Sequence, residues 1–499
     1  MSAAVTSPDP ALPVRRQWLI ALSVTFGTMM GAIDAAIVNV ALSHVRDSYG
    51  ATVEQVTWLS VAFIIAAVLV MPLTGFFGRL YGQKRVYLAC LALFAVASAL
   101  CAVAPTFAWL VVFRALQGLG AGALQPTEHA ILRQTFPPHR LGVAMGVFNL
   151  AVGIGPLTGP TLGGWIVDNF HWSWIFLINV PVGILGFTMV ARFVPADEVP
   201  ASSRQRGQMD WMGIALLWTT LLALQFVLEE GQRRAWFASP LIVTLSLIAG
   251  VGAITFVRRE LTAPTPAVNL RVFREPTYAI GSITNAIAMA ILLSGTFLLP
   301  VFMQELLGYT AMSSGMAQLP RTVVMVVAMP LIGRLYNRLP PRGSVFIGLA
   351  ITAVGQFLLS RMTLQSDASD AVVALVLQGL GMSIVIITLM TLSLSRVPKP
   401  ELGDAAGLAA LLRQVGVSTG LAMMATLLAR ATPAGAGLVV DRALATEAVL
   451  QARVLAFQHT FTVGALLYVG LLPLVWFIRA PEHHASVPSA VPAKSSASG

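Results

Sequence analysis

The sequence predicts an all-α polytopic membrane protein with 14 transmembrane helices in a 6 + 2 + 6 plan. Three observations carry this: an apolar composition, apolar stretches of spanning length, and an internal repeat relating the first six spans to the last six. Of 499 residues, 57% are hydrophobic and only 10% charged, with a mean hydropathy of +0.79. A soluble domain carries about 25% charged residues, so a soluble enzyme, a disordered scaffold and a typical nucleic-acid binder are excluded.

A bilayer-crossing helix needs about 20 apolar residues. Such stretches lie at about 17-42, 55-78, 86-104, 107-131, 141-166 and 173-194, then 210-230 and 236-257, then 276-303, 312-335, 343-363, 371-395, 405-429 and 458-479. The first follows Arg15 and Arg16 and is too long for a signal h-region of roughly 7–15 residues, so it is expected to stay. An even number of spans puts both termini on one side. That side receives 21 of the 31 Lys and Arg residues, the other side seven, and Arg114, Arg321 and Arg413 fall inside spans. Cytoplasmic loops are rich in Lys and Arg, so both termini are expected in the cytoplasm, and the net charge of +10 is mostly topology, with no nucleic-acid partner. The expected organisation is a cytoplasmic tail over 1-16, a six-helix bundle over 17-194, a linker region with two extra helices over 195-275, a second bundle over 276-480 with a periplasmic loop at about 430-457, and a disordered cytoplasmic tail over 481-499. Cys90 and Cys101 share one helix about 16 Å apart and cannot bridge.

The repeat is read directly from residues. Leu116-Gln117-Gly118-Leu119-Gly120 returns 261 positions later as Leu377-Gln378-Gly379-Leu380-Gly381, and Pro137, Leu141, Gly142, Ala144, Gly146, Gly155, Thr158 and Gly159 meet identical types at that offset. Met71-Pro72-Leu73-x-Gly75 returns as Met329-Pro330-Leu331-x-Gly333. Two like-oriented halves of this kind are the plan of transporters that bind near the midplane and rock around it.

Ionisable groups inside spans are expensive and therefore functional candidates. Asp34 lies about 12 Å from the far end of the first helix and Arg114 about 10 Å from the same side of the fourth. At matching depth they either pair statically or take turns with a proton. Glu128 lies about one turn from the cytoplasmic end of the fourth helix, after Pro126, where it either passes protons inward or snorkels to the interface. Arg413, beside Gln414, is deeper, and Arg321 after Pro320 reads as an interfacial anchor. Gly155-x-x-x-Gly159-Pro160-x-x-Gly163-Gly164 lines one helix face with small residues for close approach, a contact suited either to bundles that seal and reopen or to plain packing. Gly118 to Gly122 follows no strand and is no dinucleotide loop. Zinc spacings, Walker loops, nucleophile elbows and paired carboxylates are absent from the sequence, so no enzyme, metal site or cofactor is expected, and uphill transport is expected to draw on a proton gradient.

These motifs resemble the major facilitator superfamily, and within it the fourteen-helix drug:proton antiporters of the EmrB/QacA type, over nearly the whole chain. The first-helix signature appears as Asp34-x-x-Ile37-Val38-Asn39-Val40-Ala41-Leu42. The superfamily loop between the second and third helices appears as Gly75-Phe76-Phe77-Gly78-Arg79-Leu80-Tyr81-Gly82-Gln83-Lys84-Arg85. Arg114-x-x-Gln117-Gly118-x-Gly120 resembles the proton-transfer motif of the fourth helix, and Gly155 to Gly164 resembles the antiporter signature of exporters. His171 to Pro181 and Gln304 to Ala311 are similar to EmrB-type members. The resemblance implies proton coupling at Asp34, a periplasmic adaptor of the EmrA type and an outer-membrane channel. Arg79 stands where the superfamily at large carries an acid; EmrB-like members also carry a base there, so the usual carboxylate latch cannot form and another must hold the outward-facing state. Glu128 and Arg321 fall where the EmrB pattern has no charge, which marks a distinct substrate preference.

The expected function is a proton-driven multidrug antiporter of the bacterial inner membrane, taking small amphiphilic drugs and protons within the lipid bilayer. Alternatives are a dedicated exporter of one metabolite, fatty acid or antibiotic, and a non-transporting receptor. Around Asp34 the expected polar anchors are Asn39, Asn149, Asn285 and Gln304, with Arg413 a further cavity residue. Met29, Met30, Phe148, Met289 and Phe297 are the expected adaptable wall. Residues 439–457 have a helix-friendly composition, expected as an amphipathic helix that touches an adaptor or simply lies at the interface. The extra helix pair receives no role.

Overall fold

The computed structural model describes residues 13–197, 210–263, 266–336, 338–431 and 442–478, which are helical or in turns. The N-terminal bundle comprises α1 (Val14–Tyr49), α2 (Val53–Val70), α3 (Thr74–Tyr81), α4 (Gln83–Ala102), α5 (Phe107–Thr135), α6 (Pro138–Asn169), α7 (Trp174–Leu177) and α8 (Asn179–Phe193). The extra pair is α9 (Trp211–Glu230) and α10 (Pro240–Thr262). The C-terminal bundle comprises α11 (Pro276–Glu305), α12 (Ala311–Met316), α13 (Leu319–Leu335), α14 (Pro341–Leu359), α15 (Asp370–Ser393), α16 (Leu402–Ala431) and α17 (Arg442–Leu471). Thirteen spans among the described residues are long and apolar enough to cross a membrane. The predicted fifth span, 141–166, lies on α6, a helix of 32 residues, several of whose side chains are outside the described set. The face on which α1 starts is called the terminal face below. The last described residues return to it, since Arg342 at the start of α14 donates to the Ile478 carbonyl.

Local chemistry sets the breaks. Thr52 and Gln55 form a reciprocal capping box that opens α2. Pro72, which has no N–H to continue the ladder, converts Met71–Leu73 to a 3-10 turn between α2 and α3. Helix α3 runs on past the predicted span end at 78 to Tyr81, and the chain turns only at Gly82, whose φ of 89° suits glycine. The glycine must also leave room for Asp197, whose carboxylate accepts the Lys84 backbone N–H at 2.9 Å.

The sequence repeat reappears as a repeat of contacts. Gly118 of α5 lies against the backbone of Phe63 in α2, and Gly379 of α15 lies against that of Arg321 in α13. Gly120 faces Cys90 and Phe94 of α4, and Gly381 faces Gly348 and Thr352 of α14. The bundles cross in the same duplicate fashion. Gly142 and Gly146 of α6 meet Gly333 and Met329 of α13, while Gly403 and Gly407 of α16 meet Gly75 and Met71. Small residues permit this backbone-to-backbone approach. A methyl on Gly118 would strike the Phe63 carbonyl, so Gly118→Val is expected to destabilise the protein by about 1–3 kcal/mol, read as a lower melting temperature in detergent. Gly250→Val, with nothing within 4 Å of the added carbon, serves as the unaffected control.

Several expectations need correction. Gly155, Gly159 and Gly163 face Ala32, Ala36 and Ile37 of α1, so this ridge binds α6 to α1 inside one bundle. It is not the seam between bundles, because the seam uses Gly142 and Gly146, about two and a half to three and a half turns before Gly155 on α6. Gly164 faces open space, and the Pro160 side chain lies outside the described set. Residues 442–457 are not a separate interfacial helix but the first turns of α17, continuous with the last span. Residues 432–441 and both predicted tails, apart from Pro13 to Arg16 of the first, lie outside the described residues.

The extra pair acquires a position. Ile214, Leu217 and Leu221 of α9 join Val68 and Leu73 of the N-terminal bundle and Leu394, Ala405 and Leu408 of the C-terminal bundle in one buried cluster. Toward the opposite face, Gln225 donates to Ser418 of α16 at 2.6 Å and Arg233 to Thr57 of α2 at 3.2 Å. The pair thus covers the line where α2 meets α16. At its base, burial raises the pKa of the Asp210 carboxyl, but hydrogen bonds from Arg259 prevail and hold it below the ordinary value.

Candidate proton and substrate site

Asp34 sits on α1 with no exposed surface. Arg114 Nη1 approaches one carboxylate oxygen at 2.7 Å, and Gln117 Nε2 and Asn179 Nδ2 donate to the other at 2.9 Å each. Arg114 and Gln117 share a face of α5 because they are three residues apart, and Gln117 Oε1 accepts from Arg114 at 2.6 Å. The guanidinium also donates to the Leu59 carbonyl at 3.2 Å and lies 4.4 Å from the centre of the Phe63 ring and 5.7 Å from that of Phe176. Asn179 reaches the cluster because the chain breaks between α7 and α8, just before it. Ser98 Oγ on α4 accepts from Gln117 and Asn179 at 3.1 Å each and donates to the Phe176 carbonyl. Helices α1, α2, α4, α5, α7 and α8 all contribute, so a change at the carboxylate reaches every helix of the bundle but α3 and α6. In low dielectric, removing one member of such a pair costs about 3–5 kcal/mol.

Glu128 is also wholly buried. Its oxygens meet Thr25 Oγ1 at 3.0 Å and Thr28 Oγ1, so it does not snorkel. The neighbouring His129 points elsewhere, with its ring 4.6 Å from that of Phe148. It faces a cavity of about 30 Å³ between the bundles, shared with Ser282, Asn285, Met390 and Arg413, enough for about one water molecule. His129 Nε2 and Asn285 Oδ1 are buried with no partner among the described residues. Arg413 donates to Gln125 across the seam.

Polar contacts seal the terminal-face half. Arg79 pairs with Asp404 in the first turn of α16, Thr74 Oγ1 donates to the Gly403 carbonyl at 3.4 Å, and Arg133 to the Ser395 carbonyl at 3.0 Å. Lys84 ties α4 to the end of α8 through the Ala191 and Val194 carbonyls, and Arg85 is exposed. The latch foreseen as lacking its usual acid is thus reversed in sign, with the base on α3 and the acid on α16.

The expected cavity wall divides. Met30 and Phe148, each 1% exposed, belong to the N-terminal core, so tight packing removes them from any wall in this conformer. Met289 packs against the C-terminal core and Met29 is half-buried. Asn149 bonds to the Met145 carbonyl at 2.8 Å and lies 3.8 Å from Met390 Sδ, near the cavity. Asn39, Phe297 and Gln304 are exposed in the opposite half, and Gln304 bonds to Ser314 rather than to the Asp34 cluster. Arg321 is not an interfacial anchor: it is 4% exposed and donates to Gln378 and Gln318, at the repeat position of Phe63. Sequence reasoning gave no role to Thr25, Thr28, Ser98, His129, Ser282 or Asp404. Gln117 and Asn179 stood inside quoted motifs, the only signal available for them.

Comparisons with known proteins agree with this architecture. The chain is 30% identical over 93% of its length to the fatty acid resistance protein FarB of Neisseria gonorrhoeae, covering 96% of that protein. It is 29% identical over 93% of its length to the multidrug export protein EmrB of Escherichia coli K12, covering 95% of it. Among solved structures, the human organic anion transporter MFSD10 superposes with a TM-score of 0.65 at 15% identity, over 92% of this chain and 99% of that one. That likeness speaks to the fold alone. Residues 24–421 match the Major Facilitator Superfamily profile, and the chain belongs to that superfamily.

Proposed function

We propose that this chain is a proton-driven multidrug efflux antiporter of the bacterial inner membrane, a transporter and not an enzyme. The carrying observation is the fully buried Asp34–Arg114 pair, held by five further polar or aromatic groups in a chain whose relatives include multidrug export proteins. With the Lys- and Arg-rich terminal face in the cytoplasm, the conformer is closed inward. A proton from the periplasm reaching Asp34 releases Arg114 and shifts the balance between the two bundle arrangements. A drug that binds one protonation state better than the other then exchanges for that proton. Asn149, Asn285, His129 and Arg413 around the seam cavity supply the polar end of the drug site when the bundles part. The proton gradient supplies the energy without a cofactor, and a periplasmic adaptor of the EmrA type with an outer-membrane channel completes the export route.

The test is proton movement in proteoliposomes containing only this protein, with a lumenal pH dye and a drug panel. Drug-triggered proton flux is expected for several unrelated amphiphiles, and drug transport without proton flux would overturn antiport. A dedicated exporter is the second reading, favoured by the similarity to a fatty acid resistance protein. A response confined to one compound class would establish it.

A further inference from the structure

Asp34 and Glu128 are both buried carboxyl groups on the same bundle, but their surroundings differ in kind. Asp34 receives three N–H donors, one from a guanidinium. Among the described residues Glu128 meets only threonine hydroxyls. The charged and titratable groups around it are engaged elsewhere. Tyr87 on α4 donates its hydroxyl to the Val24 carbonyl. Arg133 donates to Ser395, Arg413 to Gln125, and the His129 ring lies against Phe148.

The count of protons around Thr25 decides what Glu128 is. Thr25 Oγ1 stands 2.8 Å from the Ala21 carbonyl and 3.0 Å from Glu128 Oε1. A hydroxyl has one proton to donate. If it goes to the Ala21 carbonyl, which can only accept, the contact with Oε1 is a hydrogen bond only when Glu128 carries the proton and donates it. If it goes to Glu128, the Ala21 contact is left empty and an anion remains in an apolar bundle with no paired cation among the described residues, which is costly. A protonated Glu128 satisfies every contact at once: Oε1–H to Thr25, Thr25 to Ala21, and Thr28 to Oε2.

We propose that Glu128 is a second proton-binding site, occupied in the inward-closed conformer while Asp34 is ionised, and that two protons therefore move per cycle. The two-proton count rests on the antiport reading, whereas the occupancy of Glu128 does not. The proton arrives from the periplasm, adds to Oε1 without other bond changes, and leaves to the cytoplasm when the seam beside α5 opens.

Infrared spectroscopy of the purified protein in lipid at neutral pH tests the site directly. A protonated-carboxyl band is expected that disappears in Glu128→Gln and persists in Asp34→Asn. Thr25→Val, which removes the acceptor of that proton, is expected to shift the band while keeping its intensity. The amide of E128Q can still donate to Thr25 and accept from Thr28, so the variant is expected to fold. A band absent from the unmodified protein, or surviving E128Q unchanged, overturns the proposal. The count is read from ethidium accumulation at zero voltage under a one-unit pH gradient: about 100-fold for two protons and about tenfold for one, each proton contributing one decade. The unmodified protein is expected at the higher ratio and E128Q at the lower, and equal ratios overturn the count. Absence of any ethidium transport by the unmodified protein would defeat antiport for this probe and the count with it, and the infrared band would still decide the site.

Discussion

Asp34→Asn is expected to lower proton-coupled drug export by at least about 100-fold while leaving a protein that inserts and folds. The asparagine keeps an oxygen for Gln117 or Asn179, which approach Asp34 at 2.9 Å, but offers no charge to Arg114, which is 1% exposed. An uncompensated guanidinium at that depth costs about 3–5 kcal/mol, more than two decades in the population of any conformer that depends on the pair, at about 1.4 kcal/mol per decade. The check is the lumenal pH dye assay with the variant beside the unmodified protein. Undiminished pH-driven export by the variant would place coupling elsewhere.

The second large effect concerns the reversed latch. Asp404→Arg sets two cations against each other at the crossing of α3 and α16, and should cost the inward-closed conformer about 2 kcal/mol, roughly thirtyfold in population. The estimate is held below the range for a buried pair because the Arg79 side chain is 37% exposed. The doubly reversed protein, R79D with D404R, restores the attraction. Spin-label distances between Tyr81 at the end of α3 and Pro400 just before α16, both exposed, should lengthen in the single variant and return in the double one. No recovery in the double variant would mean that the pair is geometric filler.

What the sequence made legible follows from the strength of each physical signal. Spans and the two-bundle plan were legible because a bilayer demands long apolar helices and because the repeat preserves the glycines at which helices touch. Asp34 and Arg114 could be placed at one depth by counting helical rise, and the structure joins them at 2.7 Å. Pairing across helices was less visible for uncharged groups. Thr25 and Thr28 look like any hydroxyl residues on an apolar helix until α5 brings Glu128 against them. Asp404 reads as an ordinary first-turn acid until the seam closes on Arg79. The glycine ridge of α6 left a bundle seam and plain packing both open, because spacing says that a helix comes close and not which one; the structure gives packing on α1. The extra pair remained without a role for the same reason: its partners α2 and α16 are known only once the bundles are assembled.

The two glycine crossings have a consequence in terms of assembly symmetry. In a twofold dimer each contact occurs twice, residue i of one subunit meeting j of the other and j meeting i. Gly142 with Gly333 and Gly75 with Gly403 obey that relation through the repeat, as do Gly146 with Met329 and Met71 with Gly407. The halves of this single chain are therefore joined as the subunits of an isologous dimer would be. At the position where one crossing holds Asp404 the other holds Val143, so the charge pair departs from the twofold relation that the glycine contacts keep. One crossing can be tuned by charge while its twin keeps the backbone geometry, a division of labour open to a fused pair and closed to two identical subunits.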